Sequence, residues 1–452
     1  MTNQEEKKLF ELCRKDQNIN DMERYFYGFP DGDHLVHVRG WYKDVLKKYL
    51  NDLKPLSRIS ECEKYKTKLD SFRKADSENT DYWSQLLKIV NNFAINAHSL
   101  YVEELKKKKG VLKAKDYANL FDEKYLTEDD FKDIGITKED LNVLRNCDRR
   151  TTLKIEPLDE EMYIKDKYKL PKKTTELYFW GMPASGKSCC LSAILSTATT
   201  EGMCDGYDPG ISSTSYFEKL TNIFSVQGKA SVLIEGTNEN SIANAAYTLN
   251  HPKYGQRRVC LIDLAGETFK SMHTKNNKEE LDETRQLCLN VTTKYLTDET
   301  NRKLHFFIVP YVEPGKEKFF DGISTSQFLQ AGVKYLLSHD IIKNSTDGIY
   351  IVVTKADMIG CSPDQYPAKV ESYIKTQYLA FYNGLLEICK RNGIGSGSKR
   401  FEILPFSIGE MLSPEVCKFN AKGAERLLDI ICEKSLKVSS RWWSFLNKLF
   451  GF

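Results

Sequence analysis

The 452-residue sequence has little of what would place it in a specialised protein class. Its twelve cysteines form no Cys-x-x-Cys pair and show no metal-ligand spacing, which argues against a zinc module or a disulfide-stapled secreted domain. No apolar run is long enough to span a bilayer and no basic-then-apolar leader opens the chain, so we expect a cytoplasmic protein. The net charge of +3 comes from interleaved acids and bases and gives no indication of nucleic-acid binding.

The N-terminal third is poor in glycine and proline and rich in Lys, Glu, Leu and Tyr. Apolar residues recur there at helical spacing, which predicts amphipathic helices packed on a core. We therefore expect residues 1–110 to form an all-α N-terminal domain. The two clearest stripes are Trp41, Val45, Leu46 and Leu50, and Trp83, Leu86, Leu87, Val90 and Phe93.

Residues 111–150 read as a small helical module. Thr127 and Thr137 each open a Thr-x-x-Asp pattern, which is typical of the first turn of a short helix. The run is similar to the end of a sterile-alpha-motif domain, with Phe131 where that pattern has leucine. The resemblance implies a protein-interaction module, and the alternative is an ordinary helical extension. A charged linker over residues 151–173 follows.

A glycine-bounded loop, Gly181-Met-Pro-Ala-Ser-Gly-Lys-Ser188, directly follows the apolar run Leu177–Trp180. It matches the pattern G-x-x-x-x-G-K-[ST], in which backbone N–H groups surround the phosphates of a nucleoside triphosphate. Lys187 would supply a positive charge to the β- and γ-phosphates, and the Ser188 hydroxyl would bind Mg²⁺. The predicted nucleotide contacts of this loop are Gly181, Pro183, Ala184, Ser185, Gly186, Lys187, Ser188 and Cys189.

A second apolar run, Val259–Ile262, ends at Asp263 and is followed by Gly266 and Glu267. A carboxylate at the end of a buried strand can hold Mg²⁺, directly or through water. The backbone N–H of Gly266 could lie near the γ-phosphate and sense its presence.

Two further segments indicate which base is bound. The apolar run Gly348–Val353 leads to Thr354-Lys-Ala-Asp357, where Asp357 can accept from the N1–H and the amine of guanine. The stem of Lys355 would cover the ring. After Phe401–Phe406, the Ser407-Ile408-Gly409 turn can bring backbone N–H groups to the base carbonyl.

These four segments, in this order, resemble the Ras-like, translation-factor-related class of P-loop GTPases. Lys187 and Asp263 are 76 residues apart, Asp263 and Lys355 are 92 apart, and Asp357 and Ser407 are 50 apart, which implies insertions between the motifs. Within the class the motifs look most like those of bacterial double-GTPase-type proteins.

The resemblance implies the fold of the C-terminal two thirds. It covers residues 174–436 and implies an α/β domain with a mixed, mostly parallel six-stranded sheet flanked by helices. The antiparallel strand would lie near Ala245–Leu249. Nucleotide would bind outside the carboxyl ends of the strands.

Two positions depart from the family pattern. Thr354 stands where the family usually has asparagine, and its hydroxyl can keep one hydrogen bond to the phosphate loop. Glu267 stands where many members carry the glutamine that positions the attacking water. Glu267 either acts directly in catalysis or has a salt-bridging or structural role, and its presence implies slow intrinsic hydrolysis that a partner or dimerisation would accelerate.

The threonine that closes over Mg²⁺ and the γ-phosphate is expected just upstream of a hairpin. Residues 245–249 and 257–262 read as that hairpin. Thr237 is the first choice for this threonine, and Thr214 is the rival. The third possibility is that neither of them has this role.

The C-terminal segment, residues 437–452, is basic and rich in aromatic residues. At helical spacing it forms an amphipathic aromatic helix. Such a helix can pack on its own domain, dock to a partner protein or lie in a membrane interface.

These patterns predict a Mg²⁺-dependent, GTP-binding and GTP-hydrolysing switch that couples nucleotide state to a protein partner through the helical N-terminal region. Arg257, Arg258 or a second chain in a homodimer could supply an activating arginine. The alternatives are a non-hydrolysing GTP-dependent scaffold, the sensor module of a bacterial defence system, and a P-loop ATPase.

Overall fold

The computed structural model describes residues 3–122, 126–147, 153, 155, 157–209, 214–224, 227–234, 241–317, 319–396 and 400–437. These residues divide into two units by their internal contacts. One unit comprises the described residues of Met1–Leu112 and Asp116–Lys138, and the other those of Lys113–Lys115 and Glu139–Phe452. The five predicted domain ranges stay predictions.

The described residues between 3 and 147 form helices and no strand. Their helices are α1 (Asn3–Asp16), α2 (Ile19–Gly28), α3 (Leu35–Asp52), α4 (Pro55–Ala75), α5 (Thr80–Lys107), α6 (Ala114–Asp122), α7 (Glu128–Ile134) and α8 (Lys138–Arg145), with a 3₁₀ turn at Ser77–Asn79.

Aromatic rings fill the core of the first unit. The Trp83 ring lies 5.3 Å from the ring centroids of both Phe26 and Phe72. Its indole N–H donates to Asp76 at 2.9 Å, and Asp76 also pairs with Arg39. The two predicted apolar stripes lie on α3 and α5 and contribute to this core, so the helical interpretation of both is confirmed.

Helix α7 begins with the predicted cap. The Asp130 backbone N–H donates to the Thr127 hydroxyl at 3.3 Å, while the Thr127 N–H donates to the Asp130 carboxylate at 2.7 Å. Gly135 ends the helix with a φ of +83°, a conformation that favours glycine. The likeness to a sterile-alpha-motif domain stays a prediction.

The second unit is built on strands that alternate with helices. Its helices are α9 (Glu160–Ile164), α10 (Lys187–Thr200), α11 (Thr214–Thr221), α12 (Thr268–Asn276), α13 (Glu283–Thr297), α14 (Thr325–Ser338), α15 (Tyr366–Gln377), α16 (Leu379–Arg391) and α17 (Lys422–Lys434), with 3₁₀ turns at Ala356–Ile359 and Pro363–Gln365. Its strands are β1 (Thr175–Trp180), β2 (Cys204–Pro209), β3 (Ala230–Val232), β4 (Ile242–His251), β5 (Gly255–Leu264), β6 (Arg302–Pro310), β7 (Phe319–Phe320), β8 (Ile323–Ser324), β9 (Thr346–Thr354), β10 (Glu402–Pro405), β11 (Gly409–Ser413) and β12 (Val416–Phe419).

The main sheet has the order β10-β9-β6-β1-β5-β4-β2. Strands β10, β9, β6, β1 and β5 run parallel, and β4 is antiparallel to β5. The predicted hairpin is confirmed, because His251 pairs with Gly255 at its turn. Strands β11, β12 and β3 form a small second sheet, and β7 pairs with β8.

The sheet has seven strands among the described residues, so the predicted count of six was wrong. Among the described strands, β2 lies at one edge of the sheet, where it pairs with β4, and no sequence pattern predicted it. Its sequence, Cys-Asp-Gly-Tyr-Asp-Pro, has the glycine, proline and acids of a loop. An edge strand tolerates these residues, because the backbone groups on one of its sides form no ladder hydrogen bonds. The register of β2 against β4 shifts between Cys204 and Gly206.

Helices cover both faces of the sheet, so its central strands are buried on both sides. Leu177 and Phe179 of β1 join one core with α10, α11 and α17. Tyr178 and Trp180 face the other core, with α12 to α16. Every residue of β1 is buried, as parallel sheets between two helical layers require. Within the described residues, no helix combines the length and the apolar character needed to cross a bilayer.

Candidate nucleotide-binding site

The sequence-predicted site segments all follow strands that run in the same direction. Strands β1, β5, β9 and β10 are parallel members of one sheet, so their carboxyl ends meet at one edge. The loop 181–186 follows β1, Gly266 follows β5, Lys355 follows β9 and Ser407 follows β10. The fold therefore gathers four segments that lie far apart in the chain.

The loop after β1 turns tightly into α10. The Ser185 N–H donates to the Met182 carbonyl at 3.1 Å, and both Ala184 and Gly186 have positive φ, of +59° and +87°. Helix α10 begins at Lys187 with no side-chain cap, which leaves its first N–H groups directed towards the loop. The buried Ser185 hydroxyl has no hydrogen-bond partner among the described residues. Such a loop presents unsatisfied donors, as an anion cradle does.

Gly266 and the loop after β1 are in close contact. A β-carbon at Gly266 would lie 2.6 Å from the backbone nitrogen of Pro183 and 2.8 Å from its Cδ. Only glycine fits there, so the segment after β5 can lie against the loop. A β-carbon at Gly181 would likewise lie 2.5 Å from the Ser185 Oγ.

Lys187 and Asp263 form a buried ion pair. Their charged atoms are 2.7 Å apart, with 6% and 2% of the two side chains exposed. The ammonium also donates to the Leu264 carbonyl. Asp263 Oδ1 accepts no aligned hydrogen bond among the described residues, so the contact with Lys187 is one of charge.

Tyr216, on α11, completes this buried group although no sequence pattern pointed to it. Its hydroxyl donates to Asp263 Oδ2 and lies close to the Ser188 side chain. Burial and then the Asp263 charge raise the pKa of Tyr216 well above its ordinary value, so the phenol stays protonated. Tyr216 and Asp263 are 47 residues apart, and only the packing of α11 shows that they meet.

Ser188 and Asp263 are suited to bind Mg²⁺. Both offer oxygen atoms, which Mg²⁺ prefers, and both contact the same Tyr216 hydroxyl. The buried Asp263 carboxylate, whose Oδ1 lacks an aligned hydrogen bond and whose Oδ2 accepts from Tyr216, offers the oxygen atoms for such a ligand. The described residues contain no cluster of three or more His, Cys, Asp or Glu side chains, and Mg²⁺ at a phosphate site needs none, because water and phosphate supply its other ligands.

Thr354 connects the end of β9 to the phosphate loop. Its hydroxyl donates to the Ser185 carbonyl at 2.6 Å, which confirms the hydrogen bond expected from the sequence. Gly186 lies against the same side chain, since a β-carbon there would be 3.4 Å from the Thr354 hydroxyl. The threonine hydroxyl thus ties the end of β9 to the loop after β1.

Asp357 and Ser407 meet at the same edge of the sheet. The Ser407 hydroxyl donates to Asp357 Oδ1 at 2.7 Å and accepts from the Gly409 N–H at 3.1 Å. The Ala356 N–H donates to the Phe406 carbonyl at 3.1 Å, which joins the two loops through their backbones. The Asp357 carboxylate is exposed at this junction.

Three other predicted contacts border this junction. Lys355 is exposed and has a φ of +58°, a left-handed conformation at the turn out of β9. Ile408 is half-buried, and its carbonyl accepts from the Asn420 N–H at 2.9 Å. Burial raises the pKa of the Cys189 thiol to about 11, with the charge of Lys355 opposing the rise, so this thiol stays neutral.

Glu267 precedes the first turn of α12 and is 7% exposed. A carboxylate at a helix N-terminus interacts favourably with the helix dipole. In the part of the chain that the structure describes, no lysine or arginine forms an ion pair with it. Both hypotheses for Glu267, catalytic or structural, stay predictions.

The first-choice threonine, Thr237, lies outside the described residues. The rival, Thr214, is the first residue of α11 and precedes Tyr216 by two positions. Residues 438–452, which hold nearly all of the predicted aromatic C-terminal helix, also lie outside the described part of the chain.

No protein-family profile and no curated protein matches this chain. Among solved structures, it is similar to the Saccharomyces cerevisiae Ski7 GTPase-like domain bound to GDP and inorganic phosphate, with 15% identity and a TM-score of 0.27 over 63% of this chain and 54% of that chain. The same domain bound to GTP gives 15% identity and a TM-score of 0.26 over the same shares. A Plasmodium falciparum chain assigned as nucleolar GTP-binding protein 1 gives 11% identity and a TM-score of 0.25 over 58% of this chain and 87% of that chain. This chain thus spans about half of the Ski7 chain that it matches.

Proposed function

We propose that this protein binds guanine nucleotides with Mg²⁺ and acts as a GTP-hydrolysing switch. The observation that carries the proposal is the hydrogen bond between Ser407 and Asp357, placed beside the phosphate loop by the Thr354 hydroxyl. A phosphate loop alone does not choose a base. A carboxylate held at the adjoining loop junction gives the site a group that can.

The phosphates would lie in the loop between β1 and α10. Backbone N–H groups of residues 181–188 would surround them, and Lys187 would exchange its contact with Asp263 for one with the β- and γ-phosphates. Ser188 and Asp263 would hold Mg²⁺, with Thr237 as a further ligand. When bound, the cation neutralises part of the charge on the phosphates.

The base would lie at the loop junction formed by β9 and β10. The Ser407 hydroxyl donates to Asp357 Oδ1, which orients the carboxylate. Oδ2 would then be available to the donors of guanine. The Lys355 stem would cover one face of the ring, and backbone N–H groups at Ser407 and Ile408 would reach the base carbonyl. Adenine lacks the donor pair that Asp357 needs.

Hydrolysis would be slow without help. Gly266 would place its N–H near the γ-phosphate, where its close contact with Pro183 already holds the backbone. Glu267 would bring a negative charge towards a negative phosphate, which hinders water attack unless a cation intervenes. An arginine from Arg257, Arg258, a protein partner or a second copy of the chain could supply that charge.

The helical N-terminal region would pass the nucleotide state to a protein partner. The aromatic C-terminal segment is a second candidate for partner contact. Membership of the bacterial double-GTPase-type proteins, and a sensor role in a defence system, rest on the motif resemblance alone.

Glu267 favours a second candidate, a GTP-dependent scaffold that does not hydrolyse its nucleotide. The family's water-positioning glutamine is absent, and the carboxylate that replaces it is buried. In that case GTP would stabilise the fold around the site and remain intact over hours in purified protein.

The test is a competition titration of fluorescent GTP and ATP analogues with Mg²⁺, followed by phosphate release. We expect GTP to compete far better than ATP, and Lys187→Ala to abolish binding of both. Slow phosphate release would support the switch, and none over hours would support the scaffold. Preference for ATP would contradict the base-reading role of Asp357.

A further inference from the structure

Tyr216 belongs to no predicted motif, yet it contacts both residues proposed to hold Mg²⁺. Its hydroxyl donates to Asp263 Oδ2 and lies beside the Ser188 side chain. Asp263 Oδ1 faces the Lys187 ammonium at 2.7 Å. Both oxygens of the buried Asp263 carboxylate therefore contact neighbouring side chains, and the half-buried Ser188 lies beside the same phenol.

The phenol oxygen and a bound cation would require the same space. Mg²⁺ holds its ligand oxygens at about 2 Å, and it demands a nearly octahedral arrangement. A cation that contacted both Ser188 and Asp263 Oδ2 would need the position beside them that the Tyr216 hydroxyl occupies. A neutral phenol is also a poor replacement for Mg²⁺, because it brings no charge to balance the phosphates.

Packing holds Tyr216 in this position. The side chain is 1% exposed and belongs to the core between the sheet and α10. The far end of α11 is tied to α10, since the Ser196 hydroxyl donates to the Thr221 carbonyl at 2.8 Å. Displacement of the phenol therefore involves the first turn of α11, where Tyr216 lies, more than its last.

Resting on the proposed guanine-nucleotide function, we propose that Tyr216 gates Mg²⁺ at this site. Its hydroxyl keeps a cation from contacting Ser188 and Asp263. The metal-bound nucleotide binds only when the phenol moves away from these two residues. The first turn of α11 moves with it, so cation binding at Asp263 changes the surface of α11.

If Tyr216 gates the site, its hydroxyl should lower the affinity for GTP when Mg²⁺ is present. The apparent affinity of a ligand falls by the fraction of molecules that are competent to bind it. A hydrogen bond to a charged group favours the closed arrangement by enough to lower that fraction about ten- to a hundredfold. Tyr216→Phe keeps the ring and removes only this hydroxyl.

The experiment measures the dissociation constant of a fluorescent GTP analogue for the full chain, once with Mg²⁺ and once with EDTA. We expect Tyr216→Phe to tighten binding about tenfold or more with Mg²⁺, relative to its change in EDTA. Tyr178→Phe is the matched control, because Tyr178 is also buried and donates to a carboxylate, Glu176, at 2.7 Å, within β1 and outside the site. It should change neither constant.

The outcomes separate the gate from the function. Equal changes in both conditions, no change, or weaker binding only with Mg²⁺ would overturn the gate and leave guanine binding standing. If neither wild type nor Tyr216→Phe binds guanine nucleotide, the function fails and the gate with it. Binding by Tyr216→Phe alone would support both.

A second measurement needs no variant and covers the case in which Tyr216→Phe does not fold. Hydrogen–deuterium exchange of peptides that span residues 214–221 is compared between wild type with a non-hydrolysable GTP analogue and Mg²⁺, and wild type in EDTA. Faster exchange with the metal-bound nucleotide is expected. Unchanged exchange, with nucleotide shown to be bound, would overturn the gate.

Discussion

At the scale of single residues, Asp357 is the position at which base choice can be tested most directly. Its carboxylate is exposed and oriented by Ser407 at 2.7 Å, so its replacement changes the acceptor and little of the packing. Among the proposed site residues, Lys187 is less suited to a selectivity test. It is buried against Asp263, and its loss would leave that carboxylate uncompensated.

We expect Asp357→Asn to weaken GTP binding about ten- to a hundredfold, because a charge-assisted hydrogen bond is lost. The variant should prefer xanthosine triphosphate, whose ring carries a carbonyl where guanine has its amine. Competition titration of the two nucleotides measures the change. Asp364→Asn, an exposed acid on the next 3₁₀ turn, makes the same charge change and should leave the preference for GTP intact.

His305 is buried in the centre of the sheet and predicts a dependence of stability on pH. Burial, and then the charge of Lys303, lower its pKa to about 3 from the ordinary 6.5, while Trp180 donates to its Nδ1 at 3.1 Å. The unfolded chain therefore binds a proton below pH 6.5 that the folded chain refuses down to about pH 3. The contribution of neutral His305 to the free energy of unfolding is therefore fully present above pH 6.5, and it is lost as the pH falls from 6.5 to about 3.

Between pH 7.5 and pH 5 this group should cost wild type about 2 kcal/mol of unfolding free energy. His305→Asn keeps an acceptor for Trp180 and does not titrate. Over the same pH range, its free energy of unfolding should therefore fall by about 2 kcal/mol less than that of wild type. Urea unfolding at the two pH values measures both. His37→Asn, which removes an exposed histidine, should behave as wild type does. Parallel losses in wild type and His305→Asn would contradict the buried, neutral histidine.

At the scale of elements, the site depends on how the ends of neighbouring strands are tied together. Thr354 ends β9, and its hydroxyl donates to the Ser185 carbonyl at 2.6 Å. After β10, the Phe406 N–H donates to the Val353 carbonyl, and the Phe406 carbonyl accepts from the Ala356 N–H. The loop after β1 and the loops after β9 and β10 are thus fixed relative to one another by hydrogen bonds. Removal of one such bond should lower nucleotide affinity without changing base preference.

Thr354→Val removes the hydroxyl and keeps the shape of the side chain. We expect GTP affinity to fall about fivefold to tenfold, with the preference for GTP over ATP preserved. Thr354→Ser retains the donor and should stay near wild type. Thr354→Asn supplies an amide donor at the same position and should also bind well. A loss of affinity with serine as large as that with valine would show that the methyl group, and not the hydrogen bond, is what matters.

At the scale of the whole second unit, a buried charge network lies at the end of the sheet opposite the site. The Lys303 ammonium and the Glu176 carboxylate lie 2.8 Å apart with 1% and 2% of their side chains exposed. Asn301 and Tyr178 also donate to Glu176, at 2.9 and 2.7 Å. These residues join β1 to β6 at their amino ends, far from Asp357.

Lys303→Met should destabilise the protein by about 3–5 kcal/mol, because it leaves the Glu176 charge buried without a partner. The double variant Glu176→Gln/Lys303→Met removes both charges and should recover most of that loss. Urea unfolding measures the stabilities, and the preference for GTP should be unchanged in any variant that folds. If the double variant is no more stable than Lys303→Met alone, packing and not the uncompensated charge is the cause.

Much of this fold and site was predictable because it is encoded locally. Apolar runs, the spacing of the helical stripes and the turn after His251 predicted strands, helices and the β4–β5 hairpin. The glycine-bounded loop and the acids behind apolar runs predicted which segments meet, because parallel strands bring their carboxyl ends to one edge. The hydrogen bond of Thr354 to the loop also followed from its position in the sequence.

Only the tertiary structure decided the rest. Strand β2 has the composition of a loop and is extended because an edge position asks little of it. Tyr216 contacts Asp263 and Ser188 because α11 packs against α10 and β4, and no spacing in the sequence encodes that contact. Local chemistry thus determined most of the elements and their order. The packing of helices on the sheet determined the edge strand and which buried side chain lies at the proposed metal ligands.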